Sequence, residues 1–251
     1  MKKIYYYDDF DSDVVKSKNQ EYVLKDNYKW IHKNIFYVVL SYIIYWIFLI
    51  ISFVYIKLFL HVSIKNRKCL KNKKNYYLYI NHIQEVGDAF IPPFITRYKR
   101  PYYIVNKANL GIPVLGKLLP ALGALVIPDK IHDMLKFREA LKYYDKKHPV
   151  IIYPEAHVWP YYTKIRPFKN SAFQLAVEEK KEVYCATTTY QKSKIFKKPK
   201  TVIYIDGPFC VDNSLTKKEK SKALAEIVRD KMIERSKMSN IEYVIYKKKD
   251  N

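Results

Sequence analysis

Tyr76–Asp88 reads Tyr-Tyr-Leu-Tyr-Ile-Asn-His-Ile-Gln-Glu-Val-Gly-Asp. An apolar, aromatic run followed by a polar stretch with one histidine and two acids describes a buried strand, Tyr76–Ile80, that leaves its sheet and turns toward a helix. The same alternation continues to the C-terminus. Further strands are expected at Tyr102–Val105, Ala124–Ile127, Val150–Tyr153, Val183–Thr188, Val202–Ile205 and Glu242–Ile245. Helical patterns fall near Gly87–Thr96, Val114–Leu119, His132–Lys146, Phe168–Glu179 and Thr216–Ser236, the last opened by Ser214 or Thr216 as its cap. Strands alternating with helices predict an α/β domain over residues 62–251, a mixed sheet flanked by helices. The five glycines form no G-x-G-x-x-G or phosphate-loop pattern, which argues against a Rossmann-type nucleotide site.

Upstream of the domain, Ile35–Ile56 contains no charged residue. Its 22 residues would make a helix of roughly 33 Å, enough for a hydrocarbon core of about 30 Å. The stretch starts too late and lacks the small-residue cleavage site of a signal peptide. Residues 35–61 are therefore expected to be a membrane-embedded helix behind an N-terminal tail, residues 1–34. A transmembrane span and entry into one leaflet both remain open, and a buried core helix is the soluble alternative. If the helix spans, the basic residues that follow, Lys57 to Lys74, would place the domain on the cytoplasmic face by the positive-inside rule, although the N-terminal tail also carries lysines.

The charge follows the same division. The net charge is +22, of which residues 1–61 carry +2 and residues 62–251 carry +20. Such a surplus asks for an anionic partner, either nucleic acid or an anionic phospholipid surface. The stretches Arg97–Tyr103 and Lys192–Lys200 would suit nucleic acid. The apolar segment and the lack of any nucleic-acid motif argue against that partner. Three scattered cysteines, Cys69, Cys185 and Cys210, offer neither a metal pair nor a disulfide framework.

His82 follows the Tyr76–Ile80 strand directly, and Asp88 is close enough to fold back on its imidazole. A carboxylate that fixes the tautomer leaves the other ring nitrogen free to take a proton from a hydroxyl. A second constellation begins at Ile151-Ile152-Tyr153-Pro154-Glu155 and continues through His157 to Lys164-Ile165-Arg166-Pro167-Phe168-Lys169. A carboxylate past a strand, with basic residues opening a helix, suits an anionic ligand.

Taken in order, these pieces resemble the bacterial glycerolipid acyltransferases typified by 1-acylglycerol-3-phosphate acyltransferase. The family's N-H-x4-D motif is matched by Asn81-His82…Asp88, and its Gly–apolar strand ending in a basic residue by Gly123–Lys130. Its F-P-E-G-T-R-S and P-F-K-K-G motifs are matched by Tyr153-Pro154-Glu155 and Arg166-Pro167-Phe168-Lys169, and its last strand by Val183–Thr189. Lys107–Gly116 is similar to a K-x-E-L…P-x-x-G stretch, so the likeness covers about residues 70–210. Three departures stand out. Five residues, not four, separate His82 from Asp88; Gly87 could absorb the extra one by its backbone freedom, and Glu85 is the substitute carboxylate otherwise. Val158 stands where the family has arginine, which shifts a phosphate role to Lys130, Lys164, Arg166 or Lys169. The last strand has Cys185-Ala186-Thr187 where the family carries a proline.

The resemblance implies acyl transfer from acyl-CoA or acyl carrier protein, as co-substrate with no further cofactor, to a lysophospholipid hydroxyl, 1-acylglycerol-3-phosphate first among the acceptors. It makes His82 the general base and Asp88 its support. Glu155, Lys107, Lys130, Lys164, Arg166 and Lys169 become the candidates for binding the acceptor, with a purely structural loop role also open for Glu155. The alternative is a family member without catalysis that binds membrane lipid or a partner.

Overall fold

The computed structural model describes residues 2–15 and 22–249. In chain order the elements are β1 (Lys3–Tyr7), α1 (Ile35–Tyr55), β2 (Ser63–Lys65), β3 (Tyr77–Ile80), α2 (Gly87–Phe90), α3 (Pro92–Ile95), β4 (Tyr102–Val105), α4 (Leu115–Leu118) and β5 (Ala124–Val126). They continue as α5 (Ile131–Tyr144), β6 (Val150–Ile152), α6 (Ser171–Glu178), β7 (Val183–Gln191), β8 (Lys200–Phe209), α7 (Lys217–Ser236) and β9 (Val244–Lys248). A seven-stranded sheet runs β2-β8-β7-β3-β6-β4-β5, parallel throughout except for the β7–β8 pair. The mixed α/β sheet expected from the sequence is present.

Each central strand feeds two cores because its side chains alternate. Tyr77 and Tyr79 of β3, Val150 and Ile152 of β6, and Val183 and Cys185 of β7 face one core, shared with α5, α6 and α7. Leu78 and Ile80, Ile151, and Tyr184 and Ala186 face the other, which is closed by α1, α2 and α3. Burial on both faces explains why these strands read as continuous apolar runs. The helix expected over Gly87–Thr96 divides into α2 and α3 at Pro92-Pro93, where the missing N–H groups suit a helix start. Thr216, not Ser214, caps α7, and it forms a capping box with Glu219.

Residues Ile35–Leu60 form one continuous apolar helical segment, with a π-helical last turn. Only one stripe of it packs on the domain: Ser41, Tyr45, Leu49, Ser52, Ile56 and Leu60, at the three- and four-residue spacing of a single helix face. The opposite side, with Phe36, Trp46, Ile47 and Ile50, is exposed. A soluble core helix would be buried all round, and just 28% of the most apolar part of this one is.

Both ends of this segment are fixed to the same body. Before α1, the Trp30 indole N–H donates to the Val126 carbonyl (2.8 Å), and buried Arg100 donates to Ser41 Oγ (3.0 Å) from beneath the helix. After it, β2 joins the main sheet beside β8. Further upstream, β1 pairs in parallel with β9, Lys3 opposite Val244 through Tyr7 opposite Lys248. The described part of the N-terminal region is thus folded onto the domain.

Candidate active site

His82 leaves the sheet at the end of β3, and its position is set from several sides. The Asn81 side chain acts as one more strand residue: it accepts from Thr188 N (2.8 Å) and donates to Thr188 O (3.1 Å). The His82 carbonyl accepts from Trp159 N (2.9 Å), and the His82 amide donates to Glu155 Oε2 (3.0 Å). Its ring stacks on Tyr153, with centroids 4.4 Å apart and planes at 28°.

Asp88 Oδ2 lies 2.6 Å from His82 Nδ1 and also accepts from Gln84 N (3.0 Å). The extra residue between them is taken up by a helical lead-in, in which Asp88 N bonds Gln84 O and Phe90 N bonds Val86 O. Gly87 serves this turn by close approach rather than by backbone freedom. A Cβ there would sit 2.9 Å from Leu60 Cδ1 and 3.0 Å from Gln84 Cβ. Glu85 makes no bond to His82; it lines a cavity of about 730 Å³ with Val86, Tyr55, Tyr161, Lys3 and Lys198. Burial raises the Asp88 carboxyl above its ordinary range, opposed by its bonds to His82 and the Gln84 amide. With Nδ1 committed to Asp88, Nε2 of a quarter-exposed imidazole is the atom left to accept a proton.

Glu155 and Arg166 form the framework beneath this pair. Glu155 Oε1 accepts from Arg166 N (2.9 Å), and Oε2 from Arg166 Nη2 (3.1 Å) and the His82 amide. Both side chains are essentially without solvent contact. The guanidinium also donates to the His157 carbonyl and to Phe10 O, and lies 4.8 Å over the Trp159 ring. Neither side chain faces a space in which an acceptor could sit. Their geometry joins the His82 loop to the segment after β6.

Ala156 follows with φ 64°, a left-handed backbone that costs a residue bearing a Cβ about 1 kcal/mol or more. Ala156→Gly should therefore raise the unfolding free energy by roughly 1 kcal/mol, less the extra freedom glycine gains in the unfolded chain. Urea titration in detergent would show this as a higher midpoint at an unchanged slope.

The lysines singled out from the sequence spread around the site. Lys107 bonds Asp129, Lys130 bonds Asp26, and Lys169 lies 3.2 Å from Asp11, all as exposed pairs. Lys164 is exposed and has no ion-pair partner among the described residues. Three contributors were given no role by the sequence. Tyr153 reads as the last residue of a strand, Asn81 as part of a motif without a role, and Asp8–Asp13 as tail. In the structure this acidic tail lies across the segment after β6: His157 Nδ1 is 2.6 Å from Asp13 Oδ1, and Trp159 Nε1 donates to Ser12 O.

The Acyltransferase family model matches residues 61–191, just over half of the chain. The fold is similar to the crystal structure of the 1-acyl-sn-glycerophosphate (LPA) acyltransferase PlsC from Thermotoga maritima. That likeness has a TM-score of 0.58 at 17% identity, over 81% of this chain and 88% of that one. No curated protein matches in sequence. The matched residues run from the end of the apolar segment through β7 and so contain His82, Asp88, Glu155 and Arg166. With its motifs in order and its histidine–aspartate pair assembled, the chain belongs to the acyltransferase family.

Proposed function

We propose that the protein moves an acyl group from acyl-CoA or acyl carrier protein to the hydroxyl of a lysophospholipid in phospholipid synthesis, with 1-acylglycerol-3-phosphate the leading acceptor. The observation that carries this reading is the 2.6 Å His82–Asp88 contact, which leaves Nε2 available in a family whose reaction is acyl transfer. His82 Nε2 takes the acceptor proton as the hydroxyl oxygen attacks the thioester carbonyl carbon. The tetrahedral intermediate then expels the thiolate, which recovers that proton from the imidazolium. Asp88 holds the tautomer and supports the transient positive charge. The same contact disfavours the alternative of a non-catalytic lipid- or partner-binding protein, since the extra residue in the motif has not separated the pair.

Glu155 and Arg166 serve, on this reading, to position the His82 loop. The acceptor's phosphate is left to Lys107, Lys130, Lys164 and Lys169; exposed pairs such as Lys107–Asp129 are worth little and exchange partners readily. The deciding assay offers the detergent-purified protein a panel of lyso-acceptors, each with acyl-CoA and with acyl carrier protein. Transfer to 1-acylglycerol-3-phosphate is expected. Absence of transfer to every acceptor with either donor would refute the reading.

The exposed apolar face of α1 supports a membrane location, and the basic residues from Lys57 to Lys74, suited to an anionic cytoplasmic leaflet, support placing the domain on the cytoplasmic face. Because both ends of α1 are held on one body, the reading is of a helix lying in a single leaflet. In sealed vesicles, tags at the N- and C-termini should be digested from the same side, while a high-salt wash should leave the protein on the membrane. Digestion from opposite sides would establish a span and overturn the one-leaflet reading.

A further inference from the structure

The basic stretch Lys192–Lys200 has found no use in the site. It forms the turn between β7 and β8, and Ser193 Oγ accepts from Ile195 N (3.2 Å) and Phe196 N (2.9 Å). That local cap leaves Ile195 79% exposed and Phe196 42% exposed at the tip. Lys192, Lys194, Lys197 and Lys198 surround them and have no ion-pair partner among the described residues. Between Val183 and Ile205 the chain contains no carboxylate at all.

The position of this tip is as informative as its composition. The Phe196 ring lies flat on His61, with centroids 3.5 Å apart and planes at 12°. His61 is the residue at which the apolar helical segment ends, and Leu58 and Phe59 of its last turn are exposed beside it. The apolar tip therefore continues the exposed apolar face of the helix. Unpaired lysines around projecting apolar side chains match one partner well, a bilayer surface with anionic headgroups, where the chains enter and the ammonium groups stay at phosphate level.

We propose that the β7–β8 turn is a second membrane contact, inserting Ile195 and Phe196 at the boundary of headgroup and acyl chain while its four lysines bind anionic headgroups. This rests on the membrane reading of α1. Together the two contacts fix the tilt of the domain, which a single helix would leave free to roll. They also bring the Lys198-lined cavity beside Glu85 and Val86 of the His82–Asp88 loop to headgroup level.

The test uses the full chain with Cys69→Ser and Cys210→Ser, leaving Cys185, which is fully buried. An environment-sensitive fluorophore is placed at Ile195→Cys or, as a reference on α1, at Ile47→Cys. Each protein is mixed with phosphatidylcholine vesicles, with or without phosphatidylglycerol, that carry a shallow spin-labelled lipid. The expected result is blue-shifted, quenched emission at both positions, with the shift at 195 strengthened by phosphatidylglycerol. Changing all four lysines to glutamine should abolish that strengthening. A label at 195 that stays in water while the one at 47 is quenched overturns the proposal and leaves the α1 reading intact. Water exposure at both overturns the α1 reading and the proposal with it. Strengthening by phosphatidylglycerol that persists in the glutamine variant overturns the lysines' part.

Discussion

His82→Ala is expected to lower acyl transfer by roughly 10²–10⁴-fold while the protein still folds and stays on the membrane. The loss follows from chemistry rather than stability. A lipid hydroxyl is a weak nucleophile at neutral pH, and the atom that would take its proton is Nε2. The ring itself is only partly buried and bonds Asp88, so its removal leaves a modest defect in packing. The backbone bonds that hold the loop, to Glu155 and Trp159, survive the substitution. Asp88→Asn should also lower the rate strongly, because the ring stays in place but its tautomer and charge support are lost. Specific activity at saturating donor, set beside the thermal unfolding midpoint, separates the two outcomes. Substantial retained activity in His82→Ala would remove the general-base assignment.

The largest stability effect is expected at the Glu155–Arg166 pair. Glu155→Ala or Arg166→Ala should each cost about 3–5 kcal/mol, the usual penalty for stranding one partner of a buried ion pair. Glu155→Ala leaves the guanidinium inside the protein without its carboxylate and frees the His82 amide; Arg166→Ala leaves the carboxylate with two backbone donors. Activity should fall in both as the His82 loop relaxes, since a small displacement of a positioned base is costly. A positioning role and an acceptor-binding role differ in their kinetics. Positioning predicts a lowered unfolding midpoint together with a lowered kcat, partly rescued in Arg166→Lys. A rise in KM alone, with kcat and the midpoint unchanged, would instead put the pair in contact with the acceptor.

These two pairs mark the division between what was legible in the sequence and what was not. The strands were readable because each central one is buried on both faces, so its apolar character is a local property needing no knowledge of its neighbours. The order of the motifs along the chain was local as well, and so was the choice of His82, the one histidine placed directly after a strand with a carboxylate nearby. Choosing between Asp88 and Glu85 was not local. The choice depends on whether the turn from Gln84 to Gly87 packs against Leu60 at the end of the apolar helix. Glu155 and Arg166 read as surface charges suited to a ligand, and only their burial against Trp159 and Phe10 makes them a framework.

By itself the sequence determined an α/β domain, an apolar helix before it and a histidine–carboxylate site at the end of its first long apolar strand. Those features are written in hydrophobic periodicity and in the spacing of a few polar residues. The tertiary structure decided the rest. Pairing of β1 with β9 joins residues nearly the whole chain apart, and no local pattern encodes it. That pairing, with Trp30 and β2, holds both ends of the apolar helix on one body, so a segment long enough to cross a bilayer is presented as a face. A helix's length is fixed by its own residues, but its orientation is fixed by what its two ends are attached to.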